Sequence, residues 1–347
     1  MADNTENFRH GAEQPIDFVL LWVDENDPEW QAEKKKWTVS GTDDRPQRYR
    51  DWGTLPYWFR GVEAFAPWVR TIHFVTCGHL PAWLNTDHPK LHIVKHSDFM
   101  PPEALPTFSS RALELNFHRI EGLSEQFVYF NDDFLLVDKT EPEDFFKDGL
   151  PRDMLALQPV IANPLNPVMS YAYLNESMAI SRHFDKRERM RAMPGAFFHI
   201  GYPPKYFIYN LLETVFPAYT GLYSAHGPVP FLKRTYEELW EKEADILEAT
   251  TMHRFRGKDD VSQRLLREWQ KQKGDFIPTN THRSFRYIDV TDISDKNLDI
   301  IRKQKKKMIC LNDSDYDFDF EKHRSAWLGA LDSIMPDPSS FEKGPVS

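Results

Sequence analysis

The segment spanning residues 127–136, which reads FVYFNDDFLL, constrains the fold of this chain more than any other. Apolar and aromatic residues typical of a buried strand lead directly into Asn131, Asp132 and Asp133, after which the chain becomes apolar again. Such a strand places oxygen ligands at a sheet edge, and open α/β sheets bind ligands outside the carboxyl ends of their strands. Adjacent carboxylates repel each other unless a cation lies between them, and Mg²⁺ bound by carboxylates and substrate phosphates is a common occupant. A simple turn is the alternative interpretation, because Asn and Asp favour turns.

Two further apolar runs end in the same way. Residues 16–23 lead into Asp24 and Asp27, and a later run leads into Asn312 and Asp313. One such end is ordinary, but three in one chain predict a shared polar cleft. Carboxylate and amide oxygens suit Mg²⁺ or Mn²⁺ better than zinc. The sequence therefore predicts a site for one of these two cations.

Short apolar strands alternate with helices in the first part of the chain. The predicted strands there are residues 16–23, 71–76, 91–94 and 127–131, and the predicted helices are 29–37, 52–65, with Asp51 as its N-cap, and 110–120. This order predicts an α/β fold with a Rossmann-like, mostly parallel, doubly wound sheet. Farther on, the patterns predict helices over 235–248, 259–272, 298–307 and 318–334, and a strand over 308–311.

We expect one catalytic domain over residues 15–335. Residues 1–14 are predicted to be a disordered lead, and residues 336–347 a tail. Residues 140–225 are rich in proline, methionine and aromatic side chains and lack a clean period, so we expect a helical or irregular insertion there that carries the acceptor surface.

Charge and composition exclude several classes of protein. The net charge of −10 argues against broad nucleic-acid binding, which needs a basic surface. The first residues lack an apolar signal segment, and no stretch approaches the length of a membrane span, so we expect a cytoplasmic protein. Cys77 and Cys310 show no zinc-type spacing, and we predict that both are small buried apolar residues. Walker and GxGxxG phosphate loops are absent from the sequence.

Several basic residues could meet a phosphate. The candidates are Arg48, Arg50, Arg60, Arg119, His226, His253 and Arg256. Arginine binds phosphate through two parallel hydrogen bonds, although most arginines of an acidic protein pair with surface carboxylates. His226 lies in a tight loop next to glycine and proline, where it is a candidate general base, a phosphate contact or a structural residue. Glu114 and His118 are predicted to share a helix face, where Glu114 could orient the imidazole.

Four segments of the chain resemble, in order, the four regions of the Stealth family. They are residues 16–27 (IDFVLLWVDEND), residues 48–136, the segment from His226 to Arg256, and residues 310–313. Members include bacterial capsular and exopolysaccharide phosphotransferases and the catalytic subunit of the animal GlcNAc-1-phosphotransferase. The resemblance implies a GT-A-like fold and transfer of hexose-1-phosphate or HexNAc-1-phosphate from a UDP-sugar to a sugar hydroxyl, with release of UMP.

The resemblance also implies roles for individual residues. Asp132, His226 and Arg256 are expected to be catalytic, and Asp133, Asn312 and Asp313 to hold Mg²⁺ or Mn²⁺. The residues expected to bind the donor are Trp22, Asp24, Asp27, Arg48, Arg50, His118 and Arg119.

The chain departs from the animal members. It carries Asp24 where they have asparagine, and it lacks their large inserted modules and membrane anchors, which favours a compact bacterial enzyme. The expected partners are a nucleotide-sugar donor and a polysaccharide or oligosaccharide acceptor. Peripheral association with a membrane-bound polysaccharide assembly, at the inner face of the membrane, is a further expectation. Two alternatives stay open at this point, a GT-A-type glycosyltransferase that releases UDP and a non-catalytic carbohydrate-binding protein.

Overall fold

The computed structural model describes residues 14–40, 42, 49–164, 166–313 and 317–344. The strands in these ranges are β1 (Ile16–Leu21), β2 (Ile72–Thr76), β3 (Leu91–Lys95), β4 (Gln126–Asn131), β5 (Phe134–Leu136), β6 (Phe146–Lys147), β7 (Leu150–Asp153), β8 (Ala156–Leu157), β9 (Leu222–Tyr223), β10 (Val229–Leu232), β11 (Ile277–Pro278), β12 (Phe285–Asp289) and β13 (Met308–Asn312). The helices are α1 (Pro28–Trp37), α2 (Leu55–Phe65), α3 (His96–Phe99), α4 (Ser110–Glu114), α5 (Pro167–His183), α6 (Lys186–Ala192), α7 (Pro194–Phe197), α8 (Pro204–Glu213), α9 (Lys233–Lys242), α10 (Ala244–Thr251), α11 (Gln263–Lys273), α12 (Asp295–Arg302) and α13 (Phe320–Asp332).

The central sheet has the strand order β3-β2-β1-β4-β10. Strands β1 to β4 are parallel, and β10 pairs with β4 in the antiparallel sense. The chain leaves β1 towards β2 on one side, whereas β4 lies on the other side, so the strand order reverses between β1 and β4. Ligands of open α/β sheets bind at such a switch point. The predicted mixed α/β fold with a mostly parallel sheet is confirmed.

The central strands are buried on both faces, as their continuous apolar sequences predict. Phe18 of β1 contacts Trp58, Trp68 and Phe130 on the face covered by α2. Val19 and Tyr129 belong to a second apolar cluster on the opposite face. Because both faces are packed, polar ligands can approach these strands only at their ends.

A second, smaller sheet meets the central sheet at the end of β4. Its order is β12-β13-β5, and β5 begins directly after Asp133. Strand β13 pairs antiparallel with β5, and the Leu311 N–H donates to the Asp133 carbonyl at 2.9 Å. The predicted strand over residues 308–311 is confirmed, but it lies in this second sheet and not in the central one.

Three helix predictions need correction. Residues 110–120 form α4 followed by a 3₁₀ helix (Phe117–Arg119), and residues 235–248 are divided between α9 and α10. The break falls at Glu243, whose carboxylate accepts hydrogen bonds from Arg182 and His183. Asp51 does not cap α2, because its Oδ1 accepts from the Gly53 N–H in a preceding turn.

The segment predicted as an insertion, residues 140–225, contains the β6–β7 hairpin, the β8–β9 pair and helices α5 to α8. Residues 336–344, predicted as part of a tail, pack against the domain. Phe341 is buried in the core, and Glu342 pairs with Arg60 at 2.8 Å. Residues 1–13 of the predicted lead and residues 345–347 lie outside the described residues. Within the described ranges, no helix is long and apolar enough to cross a membrane.

Candidate active site

The structure brings two of the predicted acidic motifs together at one edge. Asp132 and Asp133 follow β4, and Asn312 and Asp313 lie at the end of β13. The backbone hydrogen bond between Leu311 and Asp133 joins the two motifs directly. We call these four carboxylate and amide side chains the acidic edge.

Asp133 has one satisfied carboxylate oxygen and one unsatisfied oxygen. The Cys310 thiol donates to Oδ2 at 3.2 Å, and His226 Nε2 lies 3.7 Å from the same oxygen. Oδ1 is buried and has no hydrogen-bond partner among the described residues. A buried carboxylate oxygen without a donor is costly. This oxygen is therefore in the state expected of a cation ligand.

Asp132 is a carboxylate that resists ionisation. The residue is exposed at the surface, but neighbouring protein atoms displace part of the water around the carboxylate. This partial desolvation, together with the negative charges of Asp133 and Asp51, raises the pKa of Asp132 to about 7. A nearby cation or substrate proton would relieve the same repulsion.

The donor atoms near Asp133 are chemically mixed. Oxygen, nitrogen and sulfur atoms of Asp133, His226 and Cys310 lie within 4.8 Å of one another. Burial and the charge of Asp133 raise the pKa of the Cys310 thiol well above its usual value, so the sulfur is a neutral donor and not a thiolate ligand. Asn312 donates its Nδ2 to the Asp313 carbonyl, which leaves the amide oxygen as the candidate ligand atom. Oxygen atoms of this kind fit Mg²⁺ or Mn²⁺.

The Asp313 carboxylate is engaged by residues that precede α2. It accepts from the Trp52 indole N–H at 3.1 Å and pairs with Arg50 at 3.4 Å. The Arg50 guanidinium also lies over the rings of Phe318 and Phe320, at 5.8 and 5.4 Å. The structure therefore places Arg50 at the acidic edge and gives Asp313 a contact that orients this arginine. The other predicted arginine of this segment, Arg48, lies outside the described residues.

The predicted donor-binding residues after β1 have structural contacts. Trp22 is buried, and its ring stacks on Phe74 with centroids 5.5 Å apart. Asp27 caps α1 by accepting from the Trp30 N–H at 2.7 Å, and Asp24 Oδ1 accepts from a backbone N–H two residues later. Because Leu21 pairs with Asn131 in the sheet, Asp24 and Asp27 still lie on the edge that carries Asp132. The Trp22 ring, in contrast, belongs to the core.

The loop after β2 corrects the prediction for Cys77. This cysteine is exposed, and its sulfur lies 3.4 Å from His79 Nδ1. The His79 Nε2 accepts from the Asp24 N–H at 2.8 Å, and burial lowers the pKa of His79. The neutral imidazole therefore fixes the loops after β1 and β2 against each other. The prediction of burial was wrong for Cys77 and is confirmed for Cys310.

His226 is held in place by the loop between β9 and β10. Arg267, which is buried and paired with Asp153 at 2.5 Å, donates to the Ala225 carbonyl at 2.6 Å. Gly227 lies so close to the Phe285 ring that a Cβ atom would come within 2.6 Å of it. These contacts leave the imidazole half-exposed beside Asp133.

Arg256 lies in a loop that is anchored by a buried carboxylate. Asp260 accepts from His253 at 2.7 Å and from the Gly257 N–H at 2.8 Å. Arg256 Nη2 donates to Ser110 Oγ at 2.9 Å, at the start of α4. Phe108, just before α4, packs on Trp30 of α1 with ring centroids 5.8 Å apart, so this loop lies on the side of the sheet where β1 ends.

The structure does not bring His118 and Arg119 to the acidic edge. Arg119 lies 4.5 Å above the Trp240 ring, and burial lowers the pKa of His118 to about 3. Helix α9, against which both pack, begins next to the residue that precedes β4, at the end of the strand opposite Asp132. The predicted shared face with Glu114 is also absent, because α4 ends at Glu114, whose carboxylate accepts from the Tyr129 hydroxyl at 3.1 Å.

Comparisons with known proteins bear on the identity of this fold and site. Models of Stealth protein conserved regions 1 and 2 match residues 14–38 and 48–153. The chain is 40% identical over 335 residues to the capsular polysaccharide phosphotransferase WcwK of Streptococcus pneumoniae, covering 94% of this chain and 99% of that protein. The chain belongs to the Stealth family. As its relatives are transferases, this Stealth protein is an enzyme of that class.

Two other relatives support the assignment to the Stealth family. The receptor polysaccharide phosphotransferase WefC of Streptococcus gordonii is 36% identical, with 95% of this chain and 99% of WefC covered. The exopolysaccharide phosphotransferase cps2G of Lactiplantibacillus plantarum is 34% identical, with 94% and 96% covered. Among solved structures, the apo WbbM bifunctional glycosyltransferase aligns with 93% of this chain, and the alignment covers 50% of the WbbM chain at 10% identity. The TM-score is 0.38, which is too low to carry a conclusion.

Sequence reasoning missed several residues around the site of this Stealth protein. Tyr287 of β12 is 46% exposed, and its ring lies 6.2 Å from that of His226. Trp52 and Asp51 directly follow Arg50, and Cys310 directly precedes the predicted Asn-Asp turn. Their proximity to predicted residues was the only signal in the sequence. Tyr287 carried no signal, because its strand was not predicted.

Proposed function

We propose that this Stealth protein transfers hexose-1-phosphate or HexNAc-1-phosphate from a UDP-sugar to a hydroxyl group of a cell-surface polysaccharide and releases UMP. Relatives named as capsular, receptor and exopolysaccharide phosphotransferases support the reaction class. The observation that carries the proposal is the pair of close carboxylates at the switch point of the sheet. Asp132 has a raised pKa, and Asp133 has an oxygen with no hydrogen-bond partner among the residues that the structure describes.

The oxygen ligands at the acidic edge fit a divalent cation. Asp133 through Oδ1 and Asn312 through its amide oxygen would hold Mg²⁺ or Mn²⁺, with Asp132 next to them. When bound, such a cation neutralises the charge of a diphosphate. The Asp313 carboxylate, already bound to Trp52 and Arg50, would then orient Arg50 more than it would bind the cation.

The remaining residues act on the donor and the acceptor. The acceptor hydroxyl oxygen would form a bond to the sugar-bearing phosphorus, while the bond from that phosphorus to the bridging oxygen breaks and UMP leaves. Asp132 or His226 would take the hydroxyl proton. Arg256 and Arg50 would bind the phosphate oxygens and stabilise their charge as the bond breaks.

The nucleotide product tests the proposed reaction. The purified protein would be incubated with Mg²⁺, a panel of UDP-sugars and capsular or exopolysaccharide acceptor, and the nucleotides separated by ion-exchange chromatography. UMP that depends on both acceptor and cation is the expected result. UDP would instead indicate cleavage of the sugar C–O bond, as in a glycosyltransferase, and would overturn the proposal.

A matched pair of variants connects the product to the acidic edge. Asp133→Asn removes a carboxylate from the candidate cation site, whereas Asp138→Asn changes an acidic residue that follows β5 and is not at the edge. We expect UMP formation to fall at least about a hundredfold in the first variant and to stay unchanged in the second. Equal activity of the two would exclude Asp133 from the site.

A further inference from the structure

Helix α8 buries two polar side chains and exposes most of its large apolar ones. Asn210 and Glu213 are fully or almost fully buried, whereas Leu211, Leu212 and Ile208 are 52–59% exposed. A surface helix of a soluble domain ordinarily shows the reverse arrangement, with the apolar side facing the core. The outward side of α8 is therefore not explained by the packing of this domain.

A buried polar network holds α8 on the domain without help from its apolar side. Asn210 accepts from the Leu157 N–H at 2.7 Å and donates to the Phe197 carbonyl at 2.6 Å. Glu213 is paired with Lys186 of α6, also buried, at 3.2 Å. Buried polar groups that are satisfied in this way fix the orientation of a helix. The outward side of α8 is thus presented to solvent by specific contacts.

The outward side of α8 and the turn after it expose a group of large apolar side chains. We use the name α8 patch for the exposed residues Phe207, Ile208, Leu211, Leu212, Val215 and Phe216. Ile200, in the turn that precedes α8, is 97% exposed. Apolar surfaces of this kind mark sites of interaction with a protein or a membrane.

The charges next to the α8 patch have a positive excess, in a chain whose net charge is −10. Residues 185–216 contain five lysines and arginines and three aspartates and glutamates. The exposed basic residues are Arg187, Arg191 and Lys205, and the exposed acidic ones are Asp185 and Glu188. Lys186, which adjoins Arg187, lies 5.9 Å from the Phe216 ring, so α6 borders the patch.

We propose that the α8 patch docks on the surface of an anionic lipid bilayer. Interfacial helices combine an apolar side, which enters the boundary between headgroups and acyl chains, with basic residues that contact anionic headgroups. A second copy of the chain is less suitable as the occupant, because self-association through this surface would bring basic borders of the same sign together.

Docking would also orient the acidic edge. Tyr206 of α8 packs on Tyr223 with ring centroids 4.4 Å apart, and Tyr223 lies three residues before His226. Tyr206 and Tyr223 thus join α8 to the segment that carries His226. A docked enzyme would hold its site near the membrane surface, where an acceptor carried by lipid is presented. The docking itself does not depend on the proposed phosphate transfer.

Flotation with lipid vesicles tests the proposal on the full chain. One set of vesicles is phosphatidylcholine alone, and the other contains about one third phosphatidylglycerol. We expect the protein to float with the anionic vesicles and to do so at least about tenfold less with the neutral ones. High salt should weaken vesicle binding by screening the basic residues, but it should leave the contribution of the apolar side chains.

Two double variants separate the patch from a general effect of added charge. Ile208→Glu with Leu212→Glu places carboxylates in the α8 patch. Leu174→Glu with Met178→Glu places them on α5, where the wild-type side chains are 47% and 49% exposed. We expect the first to lose vesicle binding and the second to keep it. Arg187→Glu with Arg191→Glu should reduce binding to the anionic vesicles only.

Three outcomes would overturn the proposal. They are no binding of the wild-type chain to anionic vesicles, equal losses in the α8 and α5 variants, and a wild-type dimer in solution that the α8 variant dissociates while vesicle binding is absent. The last result would identify a second copy as the occupant. Circular dichroism of each variant shows whether the helices are retained, so that loss of folding is not mistaken for loss of docking.

Discussion

Cys310 is predicted to position Asp133 and not merely to fill space. Its thiol donates to Asp133 Oδ2, while Oδ1 of the same carboxylate is buried and has no hydrogen-bond partner in the described part of the chain. The hydrogen bond would therefore fix the rotation of the carboxylate and aim Oδ1 at a bound cation. Cys310→Ala removes this donor, and Cys310→Ser retains one.

The structure gives the expected size of the effect. A hydrogen bond to a charged group contributes about 1.5–3 kcal/mol, and a thiol is a weak donor, so the lower end applies. That free energy corresponds to about a tenfold change in affinity. We expect Cys310→Ala to weaken Mn²⁺ or Mg²⁺ binding about tenfold and Cys310→Ser to change it by less than about threefold.

Titration calorimetry with each cation and thermal unfolding of the same samples form the assay. Ile309→Val is the control, because Ile309 is also fully buried in β13 but has its side chain on the other side of the strand. It should lower the unfolding temperature without changing the cation affinity. If Cys310→Ala lost only stability and bound the cation like wild type, the positioning role would be refuted.

Three further predictions address the phosphate, the acceptor and the fold. Arg256→Ala should lower kcat about a hundredfold or more in steady-state assays of UMP release. The guanidinium of Arg254 lies over Trp37, so Arg254→Ala should leave kcat nearly unchanged. Equal losses of kcat in the two variants would show that the conformation of the loop, and not the Arg256 side chain, determines activity. Tyr287→Ala should raise the KM for the acceptor about tenfold with little change in kcat. Tyr287→Phe should have the wild-type KM, because the ring supplies the stacking surface. A change in kcat alone in Tyr287→Ala would contradict this role. Asp17→Asn should cost about 3 kcal/mol of unfolding free energy in urea titrations at pH 7, because Asp17 is fully buried and accepts from Arg70 and His73. Burial alone would raise the pKa of Asp17, but these hydrogen bonds outweigh it and lower the pKa to about 2. The stability that Asp17 supplies as a carboxylate is thus complete above about pH 4 and disappears as the pH falls towards 2. If the wild-type advantage in unfolding free energy did not shrink over that interval, the assignment would be contradicted.

The four parallel strands of the central sheet could be predicted because each has a recognisable local sequence pattern. Residues 16–21 and 126–131 are apolar on both faces, and each ends in polar turn residues, so both the strand and its carboxyl end are visible in the sequence. The parallel order follows from the alternation of strands and helices. The same reasoning explains why the end of β1 and the end of β4 were expected on one edge.

Other elements could not be predicted because tertiary contacts decide them. Strand β10 has the sequence VPFL, in which the proline weakens any strand signal, yet it pairs with β4 at an edge of the central sheet. Cys77 was predicted to be buried because it follows an apolar strand, but the strand ends one residue before it. The predicted pairing of Glu114 with His118 rested on a helix over residues 110–120, but that helix ends at Glu114.

The hydrogen bond between Leu311 and the Asp133 carbonyl has a consequence for the biosynthesis of the enzyme. Cys310, which supports the Asp133 carboxylate, is 177 residues farther along the chain than Asp133 itself. The central sheet can form on the ribosome once β4 and β10 have emerged, but its carboxylates then lack the strand that completes their surroundings. A nascent or C-terminally truncated chain that ends before β13 would be folded in part and inactive. We therefore expect activity to begin only after β13 has been added to the growing chain.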